Sequence, residues 1–234
     1  KAAKRDISKY ECYLEYHIEQ GDKLDHTGID VGVVSGIVSI IDYKVTAKGM
    51  SNHAGTTMMA NRKDALVGMA KLIVAAEERA RELNDTLVFT VGKIAVSPGQ
   101  ENVIPGQAVA NFEMRHMDKA VTDQFYADIQ ALAKEIPNCE FEFVNTGAKY
   151  STPCDPRLIK LIDDVCTEKG ISHIIMPSGA GHDANAMVHE GRSSDRYDLC
   201  SECQGHQPSG RRIYKTGTYR YGSGCSVSDC VKTG

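Results

Sequence analysis

The chain has 234 residues, 41% of them hydrophobic and 25% charged, with no Trp and a formal net charge of −4. This suits one or two soluble domains with a real core, and excludes collagen and extended disorder. The acidic balance argues against a general nucleic-acid binder, and no run approaches the ~20 apolar residues of a membrane-spanning helix.

The first residues, KAAKRDISKYECYLEYHIEQG, hold no apolar stretch of the signal-peptide kind, so a cytoplasmic protein is expected. The chain opens without Met and in mid-pattern, which reads as a chain whose first part is missing. Charge is uneven along it. Residues 191–234 carry Arg192, Arg196, Arg211, Arg212, Lys215, Arg220 and Lys232 against Asp195, Asp198, Glu202 and Asp229. That tail has few aliphatic side chains, yet holds Cys200, Cys203, Cys225 and Cys230. The other cysteines, Cys12, Cys139, Cys154 and Cys166, are scattered as free thiols in a reducing compartment would be.

In chain order, residues 10–20 read as a strand in which Cys12, Leu14, Tyr16 and Ile18 alternate with polar positions. Residues 28–36 read as a glycine-punctuated connection, and a strand begins at Ile37. Residues 61–83 predict a helix whose apolar face holds Leu66, Met69, Ala70, Ile73, Ala76 and Ala80. Strands follow over 87–96 and 107–115, separated by SPGQENVIPG, then a helix over 122–135 and a strand over 140–144. Strand-helix-strand-strand-helix-strand is the split βαβ, ferredoxin-like arrangement. Residues 155–169 predict an amphipathic helix stopped by Gly170, and 171–176 a short buried strand before the loop PSGAGHDA. The expectation is an α/β domain (1–36 and 148–190, partial) interrupted by an α+β domain (37–147), with an atypical tail (191–234).

Four polar clusters fall at element ends or in loops, where sites are built: HIEQG at 17–21, NHAGTT at 52–57, NVIPG at 102–106 and PSGAGHD at 177–183. His17 reads as a structural histidine or a metal ligand on a rigid strand end. His53 reads as a surface histidine or a donor to a carbonyl that gains negative charge. Arg115 reads as an exposed strand-end charge or a fork for a substrate carboxylate.

Taken together, YLEYHIEQG, VGVVSGIVSI, KGMSNHAGTTMMANRKDAL, TVGKIAVSPGQENVIPG, FEMRHMD and PSGAGHDA resemble the zinc-dependent N-carbamoyl-L-amino-acid hydrolases and allantoate amidohydrolases, within the di-metal aminoacylases and exopeptidases. The resemblance runs from Tyr13 to about Glu190. It implies a hydrolase acting on linear N-carbamoyl or ureido acids, and two divalent metal ions (zinc, manganese or cobalt) in the intact enzyme. It implies that His17 is a metal ligand and that Gln20 contacts substrate. It implies that His53, from a partner subunit, polarises the ureido carbonyl. Asn102 and Arg115 would bind the substrate's carbonyl and carboxylate, and Ser178 and Gly179 would close on it. The inserted domain would be a lid through which the enzyme forms a homodimer.

The pattern departs at Met58, where the family has Pro, and at Glu113, where Asp is commoner. His182 and Asp183 read equally as loop-structuring or substrate-contacting. The family's remaining metal ligands have no counterpart in frame, so this chain is expected to be inactive. Read one base late with synonymous codons, the tail permits ICVPSVKG over 198–205, GISH over 205–209 and DEYT soon after, which is the family's own text. An out-of-frame tail from about Gly191, without ordered strand or helix, is therefore expected. A dipeptidase or aminoacylase of the same superfamily stays open, as does a non-catalytic dimerisation module whose Cys-rich tail binds zinc.

Overall fold

A computed structural model describes residues 12–191, 200–205 and 215–216. The chain divides into a discontinuous unit, 1–38 with 152–234, and an inserted unit, 39–151.

The discontinuous unit carries a mixed sheet. Its strands are β1 (Tyr13–Ile18), β2 (Val31–Ile37), β9 (Thr152–Pro153), β10 (His173–Ser178), β11 (Cys200–Gly205) and β12 (Lys215–Thr216), in the order β10-β2-β11-β1-β12 with β9 on β2. A one-turn helix, α1 (Lys23–Thr27), follows β1, while α4 (Pro156–Lys169) precedes β10 and α5 (Asp183–Gly191) follows it. The stretch expected as a connection over 28–36 is instead the strand β2. Val33, Val34 and Ile37 are fully buried there, because a strand covered on both faces shows no alternation to read. β1 is a strand as expected, but its faces differ from the expected ones. Tyr16, expected inward, is exposed, whereas Glu15 is buried. Helix α4 keeps its expected ends: Asp155 caps it by accepting the Arg157 N–H (2.7 Å), and Gly170 ends it at φ 66°.

Two stretches of the tail are strands, contrary to expectation. β11 pairs parallel with β1 and antiparallel with β2. A strand lodged between two others gains backbone hydrogen bonds on both edges, which do not depend on an apolar side-chain pattern. The rest of the tail, with Cys225 and Cys230, lies outside the described residues.

The inserted unit is the expected ferredoxin-like sheet. β3 (Ser39–Lys48), β5 (Val88–Ser97), β7 (Gln107–His116) and β8 (Glu140–Lys149) lie antiparallel in the order β5-β7-β3-β8. Helices α2 (Ala65–Leu83) and α3 (Lys119–Glu135) cover one face. Phe112, Phe125, Met69, Leu72 and Met114 are the largest side chains of that core, and Phe89 stands edge-on to both phenylalanines. Helix α2 begins at Ala65 rather than 61 because Asp64 caps it, its carboxylate accepting the Leu66 and Val67 N–H groups. Its buried face is rotated from the expected one: Ala65, Gly68, Leu72, Ala76 and Ala80 are inward with Met69, while Leu66 and Ala70 are exposed. Met69, Ala76 and Ala80 fall inward as expected and Ile73 packs at the edge of the core; residues 65–76 are apolar save Lys71, so periodicity left the inward side of that half open.

Beyond β3 and β7 the ladder goes on. β4 (Asn52–His53) pairs antiparallel with β6 (Val103–Ile104). Lys48 faces Gln107 at the end of β3–β7, and Asn52 then faces Ile104, which carries the same ladder outward with a slip of one residue. The Gly49 N–H donates to the Gly106 carbonyl (2.8 Å) across the join. A Cβ on Gly49 would collide with the Lys63 backbone, so the join requires glycine there.

Candidate functional site

In the discontinuous unit, β1 points His17 and Glu15 to one face, two residues apart. His17 Nδ1 lies 2.6 Å from the Ile18 carbonyl. A carbonyl only accepts, so Nδ1 carries the proton and Nε2 keeps the lone pair. That is the arrangement of a metal-binding imidazole, whose second nitrogen donates to a carbonyl or carboxylate. His17 therefore fits the metal site that the sequence implies. Among the described residues no group of three His, Cys, Asp or Glu side chains is placed to hold a metal ion.

Glu19 and Gln20 follow. The Glu19 carboxylate accepts the Lys23 and Leu24 N–H groups at the start of α1 (2.9 and 3.0 Å). Gln20 is exposed, with the left-handed φ of 54°.

The loop after β10 closes on this same face of β1. Ser178 is fully buried, and its Oγ lies 2.5 Å from His182 Nε2. Gly179, next to it, is exposed, with open space where a Cβ would stand. The His182 ring meets the His17 ring edge-on, with centroids 4.4 Å apart. Burial pushes the His182 pKa below its ordinary value, against upward pulls from Glu15 and Asp183. Glu15 accepts the Ala184 N–H (2.9 Å) at the start of α5. Glu15 was not singled out in the sequence; its only signal was a carboxylate on the polar face of an alternating strand.

In the inserted unit, His53 and Asn102 come together. Beside the β4–β6 pairing, the Ala54 N–H donates to the Asn102 carbonyl (2.9 Å). The Gly55 N–H donates to His53 Nδ1 (3.0 Å). Nδ1 is thus the acceptor, and the proton of the neutral ring sits on Nε2. An exposed N–H donor results, on a loop braced by Arg62, whose guanidinium donates to the Ala54 and Thr57 carbonyls.

Arg115 lies elsewhere. It pairs with Ile40 and Val88 near the opposite end of β7. Its neighbours Met114 and His116 are buried, so alternation sets Arg115 on the face away from α2 and α3. Glu113 accepts from its Nε and Nη2, both at 2.7 Å. Burial raises the pKa of nearby Asp42, Glu113 raises it further, and Arg115 and Lys149 oppose both. The structure therefore brings His53 to Asn102, and His17 to Ser178, but leaves Arg115 far along the sheet from His53.

The peptidase dimerisation domain family matches residues 35–138. An allantoate amidohydrolase of Bacillus subtilis (strain 168) is 38% identical over 205 residues, covering 85% of this chain and 47% of its own length. An N-carbamoyl-L-amino-acid amidohydrolase of Pseudomonas sp. (strain NS671) is 35% identical over 184 residues, 77% of this chain and 44% of its own. The crystal structure of a hydantoinase/carbamoylase family amidase from Burkholderia phymatum superposes with a TM-score of 0.77 at 29% identity, over 86% of this chain and 50% of that one. The chain spans about half the length of the relatives it matches. The ferredoxin-like unit thus matches a peptidase dimerisation domain, and over the part of their length that it spans the chain is a homologue of allantoate and N-carbamoyl-L-amino-acid amidohydrolases.

Proposed function

We propose that this chain forms part of a homodimeric, metal-dependent amidohydrolase that cleaves a C–N bond of linear N-carbamoyl or ureido acids. His17, with the ligands that complete its site, would help hold a divalent metal pair, which would lower the pKa of an attacking water toward neutrality. The chain's own residues do the rest. Nε2–H of His53 and the Asn102 amide donate to the ureido oxygen, where negative charge grows in the transition state. Arg115 receives the substrate carboxylate as a fork, steadied by Glu113. Gln20 and the exposed Gly179 backbone border the substrate, while Ser178 holds the loop.

One observation carries the two-subunit form of this reading. His53 and Asn102 lie at one end of the β3–β7 ladder and Arg115 at the other, on the order of 30–40 Å apart for about a dozen extended residues. No small ureido acid bridges that span within one copy. A second copy that presents its His53 and Asn102 to the first copy's Arg115 does. The outward stripe of α2 supports an interface on this unit, since Val67 and Val74 are 49% and 57% exposed.

A substrate panel tests the reaction: a protein of the relatives' full length carrying these residues turns over allantoate or an N-carbamoyl amino acid, and a dipeptide much more slowly. Preference for the dipeptide would favour the peptidase branch. The 234-residue chain alone is expected to show no turnover. Val74→Lys weakens self-association in sedimentation, and an unchanged association constant would move the interface elsewhere. We also read the tail from about Gly191 as out of frame. That reading rests on the synonymous codons that its residues permit, and the encoding DNA decides it: the second frame must hold an open stretch containing GISH.

A further inference from the structure

We propose that His182 is a positioning residue that locks the imidazole of His17 in the one orientation able to receive a metal; this rests on the reading of His17 as a ligand. His17 offers Nε2 outward only while Nδ1–H stays on the Ile18 carbonyl. That bond is to the next residue in the chain, so a half-turn of the ring about Cβ–Cγ would put Cδ2 where Nδ1 stood, break the bond to the carbonyl and carry Nε2 to a different position. One contact that resists such a turn is the edge-on packing of His182, at 4.4 Å between centroids and 80° between planes.

His182 can resist only because it is itself fixed. It is buried, and its Nε2 sits 2.5 Å from Ser178 Oγ. Ser178 Oγ also accepts the Ala180 N–H (3.3 Å), which ties the ring to its own loop. Glu15 completes the frame. It lies two residues before His17, on the same face of β1, and accepts the Ala184 N–H where α5 begins. Strand and loop are therefore joined twice, once through Glu15 and once through the paired rings. This assigns the histidine of GAGHDA a task one step removed from substrate, and makes Ser178 the anchor of that task rather than a substrate ligand.

The test reads the tautomer of His17 in the 234-residue chain by long-range ¹H–¹⁵N correlation, well above the ordinary imidazole pKa of about 6.5. Loss of the cross-peaks in His17→Ala assigns them. The native protein is expected to show one Nδ1–H form. In His182→Ala the two ring nitrogens of His17 shift toward a common average as both tautomers populate, while amide peaks of the inserted unit stay in place. His182→Phe keeps a flat edge against His17 and restores the single form. An unchanged tautomer in His182→Ala overturns the proposal, as does a mixture in His182→Phe equal to that in His182→Ala. Should His182→Ala unfold its unit, Ser178→Ala, which keeps the ring but releases it, is read by the same criterion. A zinc titration of a protein of the relatives' full length carrying these residues separates the underlying reading. If zinc leaves His17 Nε2 unmoved, His17 is not a ligand, whatever the variants show of its tautomer.

Discussion

Mixed dimers give the sharpest consequence of the lid geometry. His53 and Asn102 share one end of a ladder whose other end holds Arg115. By standard bond lengths an arginine side chain reaches about 7 Å from its Cα, far short of the 30–40 Å between the two ends. In a full-length dimer, His53→Ala and Arg115→Ala are each expected to lower kcat/KM by roughly 10²–10³, as removal of a single transition-state donor does. Co-expressed in equal amounts, the two variants assort at random, so about half of the dimers are mixed. Each mixed dimer holds one site with Arg115 from one chain and His53 from the other, and one site lacking both. About a quarter of native activity should return. His53→Ala mixed with Asn102→Ala is the control. Those residues act from the same lid end, so every site in the mixed dimer lacks one of them, and nothing returns. Initial rates of carbamoyl hydrolysis on the co-expressed mixture measure both cases, and mixed dimers isolated by differential tags should reach about half of native activity in the first and none in the second. Activity that stays at the level of the single variants in the first mixture would mean that Arg115 and His53 serve one site within one chain, and the ladder argument would fail.

Other outcomes follow from packing and charge. Gly68→Ala should destabilise the inserted unit despite the ~1 kcal/mol helix-propensity gain, because its Cβ would stand 2.6 Å from Cys139 Sγ and 2.9 Å from Cys139 Cβ; overpacking of that kind costs about 1–3 kcal/mol. Adding Cys139→Ala should return part of the loss in urea melts, and a stabilising single variant would refute the contact. Phe112→Ala, which empties the centre of the same core, should cost about 3–5 kcal/mol by the same melts. Asp155 is buried, and hydrogen bonds from Arg157, then its cap role on α4, hold its carboxyl below the usual carboxylate range. Its folded pKa is lowered, so its contribution is full above the unfolded pKa of about 3.9 and fades as pH falls through the folded value. Asp155→Asn, which keeps an acceptor for the cap, should flatten that acid limb of a pH–stability profile while costing less than about 1 kcal/mol near neutral pH; an unaltered limb would assign the acid loss to other carboxylates.

What could be read in advance depended on whether one face of an element met water. β7 alternates cleanly, with Ala108, Ala110, Phe112 and Met114 inward and Asn111, Glu113 and Arg115 outward, so its limits and the outward face of Arg115 were legible from spacing. β2, covered on both sides, gave no such signal and was mistaken for a loop, while β1 was read as a strand but with Tyr16 inward and Glu15 outward, the reverse of what is found. The site followed the same division. HIEQG, NHAGTT and NVIPG announced His17, His53 and Asn102 because loops and strand ends with several polar groups have little packing to explain them. What spacing could not disclose was partnership across the chain: that Asn102 and His53 meet through a two-residue ladder, that His182 meets His17 from 165 residues away, and that Glu15 reaches α5. Each of those contacts joins segments with no common periodicity. The protonated nitrogens were equally hidden. Gly55 N–H makes His53 a donor at Nε2, and the Ile18 carbonyl makes His17 an acceptor there. Two histidines that look alike in sequence are thereby set to opposite tasks, one to give a hydrogen bond and one to give a lone pair, by single backbone groups beside them.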